Sequence, residues 1–100
     1  MPDNNRILIF GREQEPTDVV TRILETAGFI VTGTLDEGVA IDLAGNSDYE
    51  VLLIGREVSQ SDRRYVATKS RNANPHLTVV TVQSVESVLT QLRQAGVYIR

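Results

Sequence analysis

Phe10-Gly11-Arg12-Glu13 closes the apolar run Arg6-Ile7-Leu8-Ile9, and Ile54-Gly55-Arg56-Glu57 closes Val51-Leu52-Leu53. A short aliphatic run ended by glycine reads as a buried parallel strand that stops at a tight turn. If the two strands are neighbours, two glycines and two Arg-Glu pairs meet at one sheet edge, where open α/β sheets place their ligand sites. Working outward, strands are expected over residues 6–10, 29–33, 50–55, 77–82 and 97–99. Between them lie helical patterns. Residues 17–27 carry Val19, Val20, Ile23, Leu24 and Ala27 on one stripe, and Gly28 stops them as a left-handed residue. Residues 35–44 place Val39, Ala40 and Leu43 on one face, with Gly45-Asn46 as the stop. Residues 61–72 form a more polar helix ended by Asn74-Pro75. Ser84 or Ser87 opens a last helix with Val88, Leu89, Leu92 and Ala95 as its core stripe and Gly96 as its stop. Strict alternation of strand and helix predicts an α/β fold of (βα)4β type, an open parallel five-stranded sheet with right-handed crossovers.

One hundred residues make one domain, and a hydrophobic fraction of 41% is ordinary for a globular chain. Cysteine is absent, which excludes disulfides, thiol catalysis and thiolate metal sites. His76 is the only histidine, which excludes catalytic His pairs and multi-His metal sites. No apolar run is long enough to span a bilayer, and the start, Met1-Pro2-Asp3-Asn4-Asn5, has no signal-peptide pattern. These features point to the cytoplasm and imply no metal, no cofactor and no assignable catalytic residue. The net charge of −3 is split. Residues 1–50 hold ten acids and three bases (−7), and residues 51–100 hold three acids and seven bases (+4).

In order and spacing, the chain resembles a bacterial response-regulator receiver domain over residues 1–100. Arg6-Ile7-Leu8-Ile9-Phe10 is similar to the first strand of that family. Leu24-Glu25-Thr26-Ala27-Gly28-Phe29-Ile30-Val31 resembles the end of its first helix and the second strand, and Ser47-Asp48-Tyr49-Glu50-Val51-Leu52-Leu53-Ile54 the approach to the third. Asn74-Pro75-His76-Leu77-Thr78-Val79-Val80 and Gln94-Ala95-Gly96-Val97-Tyr98-Ile99 resemble the approaches to strands 4 and 5. The resemblance implies the flavodoxin-like strand order 2-1-3-4-5. It also implies that the family's chemistry is lost. Gly55 stands at the phosphoacceptor position, and Gly11 and Arg12 stand where acids would bind Mg²⁺, with Glu13 the one acid close by. Gln83 stands at the hydroxyl position that ends strand 4, and the Lys that ends strand 5 falls near Arg100. Gly11, Arg12, Glu13, Gly55 and Gln83 are therefore expected to form a degenerate phosphorylation pocket. Ser59, Ser61 and Asp62 read as a helix start rather than as substitute acceptors.

The expected function is that of a pseudo-receiver, a phosphorylation-independent signalling module acting through a protein partner or as a homodimer. The alternative is a small anion- or nucleotide-binding domain using Arg12 and Arg56 at the sheet edge, aided by helix-start N–H groups. Cross-pairing of Arg12 with Glu57 and of Arg56 with Glu13 would leave those arginines structural. Arg63, Arg64 and Arg71 make a basic helix face suited to an acidic partner. Acidity overall and a single nearby aromatic, Tyr65, argue against nucleic acid. The resemblance also implies a fifth helix, for which no residues remain. One sheet face is therefore expected to be partly bare, toward which one of two alternating sets points: Ile7, Ile9, Val51, Leu53, Val79 and Thr81, or Leu8, Phe10, Leu52, Ile54, Val80 and Val82.

Overall fold

The computed structural model describes residues 5–46 and 48–99, so the expectations that fall on Ser47 and Arg100 lie outside the described residues. Four parallel strands, β1 (Arg6–Phe10), β2 (Ile30–Thr34), β3 (Val51–Ile54) and β4 (Thr78–Thr81), lie in the order β2-β1-β3-β4. Four helices accompany them: α1 (Gln14–Thr26), α2 (Glu37–Ala44), α3 (Gln60–Ala73) and α4 (Val88–Gln94), the last preceded by a 3₁₀ turn at Val85–Ser87. β1 and β3 are direct neighbours with Phe10 opposite Ile54, so the two Gly-Arg-Glu segments leave the same sheet edge side by side.

Local chemistry fixes the helix ends. Gly28 (φ 100°) and Gly96 (φ 90°) adopt the left-handed conformation that α1 and α4 need to stop. In each case the following N–H reaches back five residues, from Phe29 to Leu24 O at 3.0 Å and from Val97 to Leu92 O at 2.9 Å. The four side chains involved are buried together in one core. Asp36 caps α2 by accepting from the Val39 N–H at 2.9 Å, and Ser59 caps α3 by accepting from the Asp62 N–H at 3.2 Å. Asn74, the stop of α3, is buried, and its amide donates to Ala44 O and Tyr49 O, tying α3 to the end of α2 and the approach to β3.

The sheet separates two cores. Leu8, Phe10, Leu52 and Ile54 face α2 and α3, where Ala40, Ala44 and Val66 close over them. Ile7, Ile9, Val51 and Leu53 face α1 and α4, meeting Val20, Leu24, Val88 and Leu92. Three expectations are corrected here. Among the described residues the sheet has four strands, and residues 97–99 do not make a fifth. Val97 and Ile99 instead pack into the α1–α4 core. The face expected to be bare is covered, because α4 returns to the side of α1. Finally, β4 sits one residue out of the expected phase: Val80 and Val82 join the Ile7 set, and Val79 joins the Leu8 set.

Gln91 of α4 explains why β4 ends the sheet. Thr78 and Val82 donate their N–H groups toward β3, so alternation turns those of Val79, Thr81 and Gln83 outward. The Gln91 side-chain amide donates to Thr81 O at 2.7 Å and accepts from the Gln83 N–H at 2.9 Å. It thus takes the two groups that one residue of a next parallel strand would take, which blunts the edge. Gln91→Ala is expected to cost about 1–2 kcal/mol, since two backbone groups lose a fixed partner. For a chain of this size that lowers the melting temperature by roughly 4–8 °C per kcal/mol. A variant that melts with the wild type would contradict this role.

Candidate functional site

The edge where β1 and β3 end is organised by one carboxylate. β3 stops at Ile54, the Gly55 N–H bonds Phe10 O at 2.8 Å, and the Val58 N–H returns to Gly55 O at 3.1 Å. That tight turn is anchored by Val58, which is 2% exposed. The turn sends Glu57 back over the end of its own strand and toward β1. Its Oε2 accepts from the Arg12 backbone N–H at 2.9 Å and from the Glu13 N–H at 3.4 Å. Charge-assisted bonds of this kind are roughly twice as strong as neutral ones.

This carboxylate explains Gly55, and together with Thr17 it explains Gly11. A β-carbon built on Gly55 would lie 2.6 Å from Glu57 Oε1 and 2.7 Å from Oε2. One built on Gly11 would lie 2.8 Å from Oε2 and would also strike Thr17 Oγ1. Neither glycine has a positive φ, so space rather than backbone conformation is what each position requires. Thr17 is itself buried and held, its hydroxyl donating to Glu13 O at 2.8 Å.

Arg12 leaves the same turn toward the α2–α3 side. Its guanidinium lies 4.9 Å from the centre of the Phe10 ring and donates to Asp62 at 3.0 Å, Glu37 at 3.4 Å and Leu35 O at 3.5 Å. These half-exposed pairs contribute about 0.2–1 kcal/mol each. They tie the end of β1 to the start of α2 and to the first turn of α3. Arg56 lies on the other side of the sheet. It is exposed, makes no ion pair among the described residues, and lines a cleft of about 310 Å³ floored by Ile9, Pro16, Val20, Val82 and Val85. Glu13 and Glu57 share the rim of that cleft.

The expected residues therefore separate. Gly11, Arg12, Glu13 and Gly55 do converge, around Glu57. Arg12 and Arg56 project to opposite sheet faces and do not form one site. The expected cross-pairs are not made, because Glu57 is occupied by backbone N–H groups and Arg12 by Glu37 and Asp62. Gln83 is exposed, and its N–H is held by Gln91. Ser59 caps α3 and Asp62 holds Arg12, so neither stands free. Among the described residues no group of three or more His, Asp or Glu side chains is arranged to hold a metal ion. Glu57 as the centre of the pocket was missed from the sequence. The available signal was two glycines facing each other at strand ends, each with an acid two residues beyond it.

No known family profile matches the chain, and no curated protein matches it. Two solved structures share the fold. A protein provisionally described as pilus assembly-related, from Burkholderia pseudomallei K96243, superposes with a TM-score of 0.59 at 21% identity, covering 93% of this chain and 73% of its own. A de novo designed Rossmann 2x3 fold protein superposes with a TM-score of 0.63 at 13% identity, covering 96% and 94%. Together with the strand order, these likenesses define the chain as a Rossmann/flavodoxin-like α/β domain. No helix among the described residues is long and apolar enough to cross a membrane.

The glycine–carboxylate packing has a direct test. Gly55→Ala is expected to displace the Glu57 carboxylate, the flexible end of a side chain, and to cost about 1–3 kcal/mol in lost charge-assisted bonds. In a Glu57→Ala background the same change should cost little. A double-mutant cycle by chemical denaturation should therefore give a coupling of about 1 kcal/mol or more. Additive effects would show that the carboxylate does not occupy the space.

Proposed function

We propose that the chain is a pseudo-receiver, a regulatory module that works by protein–protein contact and independently of phosphorylation. One observation carries the reading: Glu57 fills the pocket between Gly11 and Gly55 and takes the N–H groups of Arg12 and Glu13. By the receiver resemblance, Gly55 stands where the phosphoacceptor would be, so the chain has no nucleophile there. A carboxylate is instead supplied there by the chain itself, from Glu57. The acids that a hard divalent cation needs are replaced by Gly11 and Arg12, and the Arg12 guanidinium would repel such an ion. In this reading the module holds one state at the strand ends and passes information through its surfaces, in a cytoplasmic setting. One structural neighbour is described as pilus assembly-related. Assembly of a multi-protein apparatus is a setting in which a contact module would act, and it is included in the proposal.

The anion-binding alternative receives less support. It needs Arg12 and Arg56 together, and the two project to opposite faces, with Arg12 already engaged by two carboxylates. Incubation with acetyl phosphate and Mg²⁺, followed by intact-mass measurement, should show no added phosphoryl group. Inorganic phosphate or ATP should not raise the melting temperature, whereas a bound ligand at a hundred times its Kd would add about 2.7 kcal/mol. A phosphoryl adduct would overturn the pseudo-receiver. A saturable thermal shift lost in Arg56→Ala would favour the binding domain.

A further inference from the structure

The face of the sheet carrying α2 and α3 is incomplete over β4. Because α4 crosses to the side of α1, α3 is the last helix on this face. Val79 and Thr81 of β4 are half-buried, as are the other two residues of this edge strand, while Leu52 and Ile54 of the neighbouring β3 are fully buried. The result is an open groove of about 350 Å³ between α3 and β4. Its floor includes Ile54, Ala67 and Val79, and its rim is Arg63, Arg64 and Arg71. No acidic residue lines it, and none of the three arginines makes an ion pair among the described residues. Arg64 and Arg71 are seven residues apart on α3, two helical turns, and so repeat along one face.

We propose that this groove is the contact surface of the module and that its occupant is an acidic amphipathic helix of a partner protein. The inference rests on the contact-module reading and gives it a location. The vacancy lies beside α3, over a strand that carries no helix of its own on this face, which is the position a further helix would take. Leucine-sized side chains of that helix would meet Val79 and Ala67, and its glutamates or aspartates would meet the arginine row, in the helix-in-groove mode. Strand addition is disfavoured, since β4 has only four residues and Gln91 occupies the outward groups at its end. A nucleic-acid strand would use the arginines but leave the apolar floor unfilled, and the chain carries a net charge of −3. Complementary charge along the arginine row would set register, speed association and carry most of the recognition, with Val79 and Ala67 adding a small apolar contact.

The test uses the whole chain and a synthetic amphipathic helical peptide of about four turns, with leucines along one face and glutamates beside them. Amide shifts in a titration should saturate and cluster on Val79, Thr81 and the Arg64–Arg71 face of α3. Arg64→Glu with Arg71→Glu should weaken binding at least about tenfold while the melting temperature stays near that of the wild type, because both side chains are exposed. A scrambled peptide of the same composition, with no apolar face, should also bind at least about tenfold more weakly. Absence of saturable binding, or equal binding by the scrambled peptide, would overturn the groove. So would tighter binding of a single-stranded oligonucleotide. Sedimentation that showed self-association of the protein alone, abolished by the same charge reversal, would replace the partner helix with a second copy. The groove can fail while the acetyl phosphate experiment still shows no adduct, in which case the contact surface lies elsewhere and the pseudo-receiver reading stands.

Discussion

The Glu57 carboxylate, held by the N–H groups of Arg12 and Glu13, is the contact on which the rest of the strand-end geometry depends. It occupies space that a β-carbon at position 55 would need, and with Thr17 it fills the space beside position 11. It accepts from the two backbone donors that the chain offers as it leaves β1 for α1. The turn at residues 55–58 aims it, and the burial of Val58 holds the turn. Arg12 is then free to point away, toward Glu37 and Asp62, where it ties β1 to the starts of α2 and α3. Between Gly11 and Gly55 the space is filled by the chain's own carboxylate.

A second constraint is the side to which α4 returns. By packing beside α1, it completes the core of Ile7, Ile9, Val51 and Leu53, and Val97 and Ile99 finish that cover. The same choice leaves β4 without a helix on the opposite side and opens the arginine-rimmed groove beside α3. Gln91 links the two consequences. It sits on α4 and shuts the outer edge of β4 with a side-chain amide in place of a neighbouring strand. The two sheet faces thus differ in kind, one closed by two helices and a terminal segment, the other closed by two helices only over β1 and β3.

Much of this fold was legible because its strands are short aliphatic runs bounded by glycine or proline, and its helices carry clear stripes. Gly28 and Gly96 stop α1 and α4 where positive φ was expected. The strand order implied by the receiver resemblance makes β1 and β3 neighbours, and Gly11 and Gly55 do follow adjacent strand ends. The facing of β4 was not legible. Thr78-Val79-Val80-Thr81 is apolar in the middle and polar at both ends, so either alternating set fits. The side taken by α4 was equally open, since its stripe of Val88 and Leu92 would bury against either face. Residues 97–99 carry strand-forming side chains, but Gln91 had already taken the edge they would have joined. At the pocket, ion pairing could not be read from adjacency. Glu57 was closest in pattern to Arg12, yet it bonds the Arg12 backbone, and the Arg12 side chain finds Glu37 and Asp62 from distant parts of the chain.

Amide hydrogen exchange at Arg12 reads whether the Glu57 carboxylate holds the end of β1 in solution. Arg12 is exposed, so its N–H should exchange quickly unless the carboxylate holds it. The account predicts measurable protection of the Arg12 amide in the wild type. In Glu57→Ala that protection should fall by about tenfold or more, the scale of losing one bond of roughly 1.5–3 kcal/mol to a charged acceptor. The amides of Leu8 and Phe10, inside β1, should change far less. An Arg12 amide that exchanges at the unprotected rate in the wild type, or equally in both proteins, would contradict the account.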